Sequence, residues 1–182
     1  MPLHLLTPRD VVPLQDRPGY RGHSPGQERA LGGYLVLTAV FSAANTAFAL
    51  WYRRSGRRLP DTVAGRDLAL VAVATHKAAR IIAKDRVTSA VRAPFTRVQH
   101  DAGPGEVEEA ARRRGVPRAI GELLVCPYCL GPWIASALTA ALLVAPRLTR
   151  LVCSVLCAVF AADVLQLAYA RAEGGVTGEA GR

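Results

Sequence analysis

Residues Gly121 to Val144 read GELLVCPYCLGPWIASALTAALLV, a Cys-Pro-Tyr-Cys tetrapeptide at the mouth of a long apolar run. If a helix starts at Pro127, the proline takes the first helical position, where a missing N–H costs nothing, and about 18 residues remain to cross a bilayer. Cys126 then falls at the N-cap and Cys129 at the third helical position, so both thiols sit in the positive end of the helix dipole. Pro132 removes a hydrogen bond to the Tyr128 carbonyl, which predicts a local kink beside Trp133.

Two other blocks share this apolar character, Ala30 to Tyr52 and Leu151 to Tyr169. Each approaches the roughly 20 residues needed to cross about 30 Å of hydrocarbon. In a chain of 182 residues, three such blocks leave too little amphipathic sequence to cover them in water. The expected fold is therefore all-α, a small transmembrane bundle of four helices, three of them membrane-spanning, with a cytoplasmic loop helix. The first helix, Ala30 to Tyr52, ends in the aromatic pair Trp51 and Tyr52 and is stopped by the RRSGRR cluster Arg53 to Arg58. The fourth runs from about Leu148 to Ala170. The second, Leu68 to about Lys84, is ambiguous: LALVAVAT is apolar on all sides, but His76, Lys77, Arg80 and Lys84 then line one flank. It either crosses with its cationic end snorkelling to the interface or dips into one leaflet.

The polar stretches set the remaining boundaries. Residues 1–29 hold five of the twelve prolines and read as a flexible tail without the apolar core of a cleavable signal peptide. Residues 30–170 form the helical membrane domain, and 171–182 a second flexible tail. Between them, DAGPG marks a turn after a basic segment broken at Pro94. Glu106 to Arg114 then reads as a short solvated helix, with Glu108 to Arg112 and Glu109 to Arg113 in favourable i,i+4 order and Gly115 at its end.

The net charge of +9 resides in arginines flanking the apolar runs. That is the pattern of cytoplasmic loops facing anionic lipids, and no nucleic-acid module accompanies it. If the second helix spans, the N-tail, the long loop and the C-tail carry fourteen Lys and Arg against seven on the other side. If it does not, the split is seventeen against six. Both arrangements predict a multi-pass cell-membrane protein with residues 84–122 and the C-terminus in the cytoplasm.

Chemistry gathers in two places. Asp163 is a carboxylate inside an apolar helix, so it should face other helices and find a cation, Arg80 or Lys77, near Cys126 and Cys129. That pair is either structural or part of a proton or ion relay. The cysteines have three readings: a helix-end structural role, half of a zinc site completed by His76 or His100, or a redox pair with Cys126 attacking and Cys129 resolving. Cys-Pro-Tyr-Cys is also the glutaredoxin tetrapeptide, although no thioredoxin-like alternation of strands and helices surrounds it. Cys153 and Cys157 read as small packing residues.

Three motifs in order carry a wider resemblance: R-x-x-x-x-D-R-V-T at Arg80 to Thr88, R-A-P-F at Arg92 to Phe95, and G-E-L-L-x-C-P-Y-C-x-G-P-W at Gly121 to Trp133. Over about residues 65–170 the chain resembles domain-of-unknown-function family 1360, small bacterial integral membrane proteins, some linked to sporulation. The resemblance implies a membrane location and a helical fold, with Arg80, Asp85, Arg92, Cys126 and Cys129 as family-like positions, and it brings no known activity. The leading expectation is a non-enzymatic membrane protein without cofactor. Its polar cluster, Lys77, Arg80, Asp85, Arg92 and Asp163, either fixes helix packing or binds a protein partner or a second copy. A membrane thiol-disulfide oxidoreductase and a zinc-dependent sensor or assembly factor are the alternatives.

Overall fold

The computed structural model describes residues 29–179 except 104 and 113, together with Tyr20 and His23; the tail expected over residues 1–29 lies almost wholly outside the described residues. The elements are α1 (Leu31–Arg54), α2 (Gly65–Lys84), α3 (Ser89–Arg92), β1 (Thr96–Gly103), β2 (Glu106–Ala111), α4 (Gly115–Val125), α5 (Pro127–Val144) and α6 (Pro146–Glu179). A 3-10 turn, Arg86–Thr88, joins α2 to α3. Three helices, α1, α5 and α6, are long and apolar enough to cross a membrane, and they are the three blocks expected to do so. Their large apolar side chains face outward, Leu35, Val40, Leu151, Val155 and Leu165 among them. Such surfaces suit a hydrocarbon solvent.

The core lies along α2. Val71, Ala74 and Cys153 are buried against Leu138, Leu142 and Leu156 at one end, and Ala79, Ala83 and Leu130 against Leu123 and Ile134 at the other. Early α2 residues meet late α5 residues and late ones meet early ones, so the two helices run antiparallel. Along the same direction α2 meets α6: Arg150 binds Asp67 through Nε and Nη2 at 2.9 and 2.7 Å, and further on Lys77 meets Asp163. Alanines at 74, 79 and 83 allow this close approach. The helix whose role the sequence left open is thus the central one. α1 packs against α4 and α5 instead, with Phe41 edge-on to Trp133 at 5.1 Å. A Cβ on Gly33 would stand 2.6 Å from the Ala119 Cβ, so this contact needs glycine.

Two expectations are corrected. The fold is mostly helical with a two-stranded sheet rather than all-α, because the expected loop helix over Glu106 to Arg114 is strand β2, paired antiparallel to β1 with Thr96 opposite Ala111 and Val98 opposite Glu109. The period of two explains it: Val107 and Glu109 are buried, while Glu106 and Glu108 point the other way. Partners on α2 and α3 bind these glutamates more strongly than arginines one turn away on an exposed helix would. The helix instead begins at Gly115 as α4, and α6 runs to Glu179, past the expected end at Ala170.

Candidate functional site

The hairpin is riveted on both faces of β2, to α2 on one and to α3 on the other. Arg80 and Lys84 lie four apart, about 6 Å along a helix, and Glu106 and Glu108 lie two apart, about 7 Å along a strand. The rows match: Arg80 Nη2 reaches both Glu106 oxygens at 2.8 Å, and Lys84 Nζ reaches those of Glu108 at 2.9 and 2.7 Å. On the opposite face of β2, Arg92 and Glu109 form an ion pair of 2.9 Å whose side chains are 0% and 2% exposed.

Arg92 also closes the open end of α2. Its Nη1 donates to the Ile82 carbonyl and Thr88 Oγ1, both at 2.6 Å, and its Nη2 to the Asp85 carbonyl at 3.0 Å and Ser89 Oγ at 3.1 Å. Thr88 Oγ1 donates to the Ile81 carbonyl at 2.6 Å. The last carbonyls of a helix have no partners within it and carry its negative pole, so a buried guanidinium there meets both needs. Glu109 in turn accepts from Ser89 Oγ at 2.7 Å and Thr96 Oγ1 at 2.5 Å. Burial would raise the Glu109 pKa, but hydrogen bonds from Arg92, Thr96 and Ser89 and the Arg92 charge outweigh it and hold the carboxyl below its ordinary value. The D-R-V-T and R-A-P-F segments therefore build one capped helix end. α4 seals its flank, since a Cβ on Gly121 would stand 2.8 Å from the Phe95 carbonyl oxygen.

Beside this cap, a cleft of about 750 Å³ opens between α2, α6 and the hairpin turn. Lys77 Nζ stands 2.7 Å from Asp163 Oδ2, with the lysine side chain 9% and the aspartate 42% exposed. Arg80 pairs with Glu106, so of the two expected cations it is Lys77 that holds Asp163. Asp85 lines the same cleft. Burial pushes the Asp85 carboxyl above its ordinary value; Lys77 and Arg80 pull it down, while Glu106 and Asp163 push it further up. His76 lies edge-on to Phe160 at 5.5 Å. Of the expected polar cluster, Lys77, Arg80, Asp85 and Asp163 share the cleft, whereas Arg92 belongs to the cap.

The cysteines stand apart from that cleft. Cys126 is the N-cap of α5, with Pro127 at the first helical position, and its Sγ accepts the Cys129 N–H at 3.2 Å. A thiol here does what a serine or threonine hydroxyl does at other helix starts. Cys129 borders a second, mostly apolar cavity of about 350 Å³ with Tyr34, Phe41, Glu122 and Trp133. Glu122 accepts from the Tyr34 hydroxyl and from Arg118 Nε. Neither cysteine lines the Lys77–Asp163 cleft, and His76 lines it without them. Among the described residues no three His, Cys, Asp or Glu side chains come together as a metal site.

Sequence reasoning missed Glu106, Glu108 and Glu109 as partners of α2 and α3. The available signal was their strand-like alternation, which i,i+4 charge pairing obscured.

The family model described as "Protein of unknown function (DUF1360)" matches residues 70–169. The chain belongs to this family. The DUF1360 match spans α2 from Leu70 through α6 to Tyr169, and so contains the capped helix end, the cleft and the cysteine pair; α1 lies before it. No curated protein and no solved structure matches the chain.

Proposed function

We propose that this DUF1360 protein is a multi-pass integral membrane protein of the cell membrane, and that its hairpin-capped end is a rigid cytoplasmic platform for binding. The carrying observation is that α2 lies antiparallel along α5 and is tied to α6 by an ion pair toward each end. If α5 and α6 cross the bilayer, α2 crosses with them. Its charges are then tolerable because Asp67 and Lys77 are buried in pairs, and Arg80 and Lys84 end at the interface.

This arrangement puts the start of α1, the hairpin and the end of α6 on one side. By the count of fourteen basic residues against seven, that side is the cytoplasm. Anionic lipids there are the natural partners of its arginines. The platform is non-enzymatic in this reading: Arg80, Lys84 and Arg92 are engaged in holding the hairpin glutamates, and Cys126 serves as a helix cap. Its partner is a ligand, another protein or a second copy.

Single-cysteine labelling tests the topology. With the native cysteines replaced, a cysteine at Val98 in β1 should react with an impermeant maleimide only in inside-out vesicles, and one at Ser55 only in right-side-out vesicles. Labelling of both positions from the same side would refute α2 as a span.

A further inference from the structure

The cleft between α2, α6 and the hairpin turn has an uneven charge balance. Its lining includes two bases, Lys77 and Arg80, and three acids, Asp85, Glu106 and Asp163. Lys77 is held by Asp163 at 2.7 Å and Arg80 by Glu106 at 2.8 Å. Among the described residues, the Asp85 side chain has neither an ion pair nor a hydrogen bond. Lys77 and Arg80 pull its pKa down and Glu106 and Asp163 push it up, so all four paired groups act on Asp85. It is the one uncompensated charge in the cleft when His76 is neutral.

The walls define what would complement it. Phe160, Val164 and Leu167 from α6 face the cleft with the His76 ring from α2, and Gln166 adds an amide at the rim. The hairpin turn contributes Gly103 and Gly105, which send no side chain into the space. At about 750 Å³ the cleft is far larger than a hydrated ion, and one carboxylate is too few ligands for a divalent metal. An anion would find both bases already occupied. An ammonium attached to an apolar or aromatic body would neutralise Asp85 while its body covers the Phe160 ring and the aliphatic wall.

We propose that this cleft is a binding site for an organic monocation, an amine with an apolar body, with Asp85 as its counter-ion. The proposal gives the platform described above a ligand class and rests on that reading for its cytoplasmic side.

Calorimetric titration of the detergent-purified full chain tests it with three probes of one shape: phenethylamine, phenethyl alcohol and hydrocinnamate. The amine should bind saturably in the millimolar range or tighter, and the alcohol and the carboxylate at least about tenfold more weakly. Asp85→Asn should remove the amine's advantage, while Asp101→Asn, on the outer strand, should leave it intact. In the wild-type chain the advantage should also fade as acid protonates Asp85, which keeps the test independent of how the variant folds. Equal binding of amine and alcohol, an unchanged advantage in Asp85→Asn, or no saturable amine binding would each overturn the proposal. Such a failure with the labelling result at Val98 and Ser55 upheld would discard the ligand and leave the topology standing.

Discussion

Substituting Glu109→Gln isolates the buried ion pair that holds the hairpin to the end of α2. The glutamine Oε1 can still accept from Arg92 and Ser89. Its amide nitrogen replaces the oxygen that accepts from Thr96 and can donate to Thr96 Oγ1, whose hydroxyl keeps the Arg92 carbonyl as acceptor, so shape and most hydrogen bonding survive. What disappears is the charge opposite a guanidinium with 0% exposure. Removing one partner of a buried pair costs about 3–5 kcal/mol, because the other charge is left in a poorly solvating site. At about 1.4 kcal/mol per tenfold, the hairpin should open about 100- to 4000-fold more often. Hydrogen exchange in detergent reads this locally, in the amides of β1, β2 and α3.

Those amides should lose about two orders of magnitude of protection or more, while α5 and α6 keep theirs. Arg92→Met with Glu109→Leu should not restore it, because Arg92 also serves the Ile82 and Asp85 carbonyls, Thr88 and Ser89. The pH profile supplies the sign. Glu109 titrates below its ordinary value, so its charge contributes stability that is fully present above about pH 4.3 and is lost as pH falls through the depressed native pKa. Asp85, displaced upward, works in the opposite sense: its ionisation destabilises the fold as pH rises. Acid also breaks the Glu106 and Glu108 pairs, so the refuting result is an acid loss of hairpin protection as large in Glu109→Gln as in the wild-type chain, or a loss under tenfold at neutral pH.

Three further outcomes are expected. Gly33→Ala should push α1 off α4 and break the Tyr34–Glu122 contact at a cost of about 1–3 kcal/mol, read as a lower melting temperature, whereas Gly32→Ala meets nothing within 4 Å and should be neutral or stabilising. Cys126→Ser should keep the start of α5, while Cys126→Ala should lose about 0.5–2 kcal/mol, measured by thermal unfolding in detergent. Asp163→Asn strands a lysine side chain that is 9% exposed and should cost about 2.5–3.5 kcal/mol; Lys77→Met leaves only a half-exposed aspartate and should cost less by the same measurement.

The sequence alone determined where the chain is apolar and where such helices begin. Hydropathy over 18 residues is local, and so is the pairing of an N-cap thiol with the N–H three residues on, so α1, α5 and α6 and the Cys126 cap could be read directly. Half of the Asp163 expectation was legible for the same reason: an apolar helix with one carboxylate needs a cation, and Lys77 lay at a matching depth. Tertiary structure decided the rest. Glu106 to Ala111 satisfies both a helical charge pattern and a strand alternation, and only the presence of Arg80, Lys84 and Arg92 across the chain selects the strand. α2 carries too many charges for composition to place it among the apolar helices, yet its alanines fit against α5 and α6 and its charges find Arg150, Asp163 and the hairpin glutamates. A long-range ion pair changes the cost of burying a charge, and one-dimensional sequence does not reveal which partner will arrive.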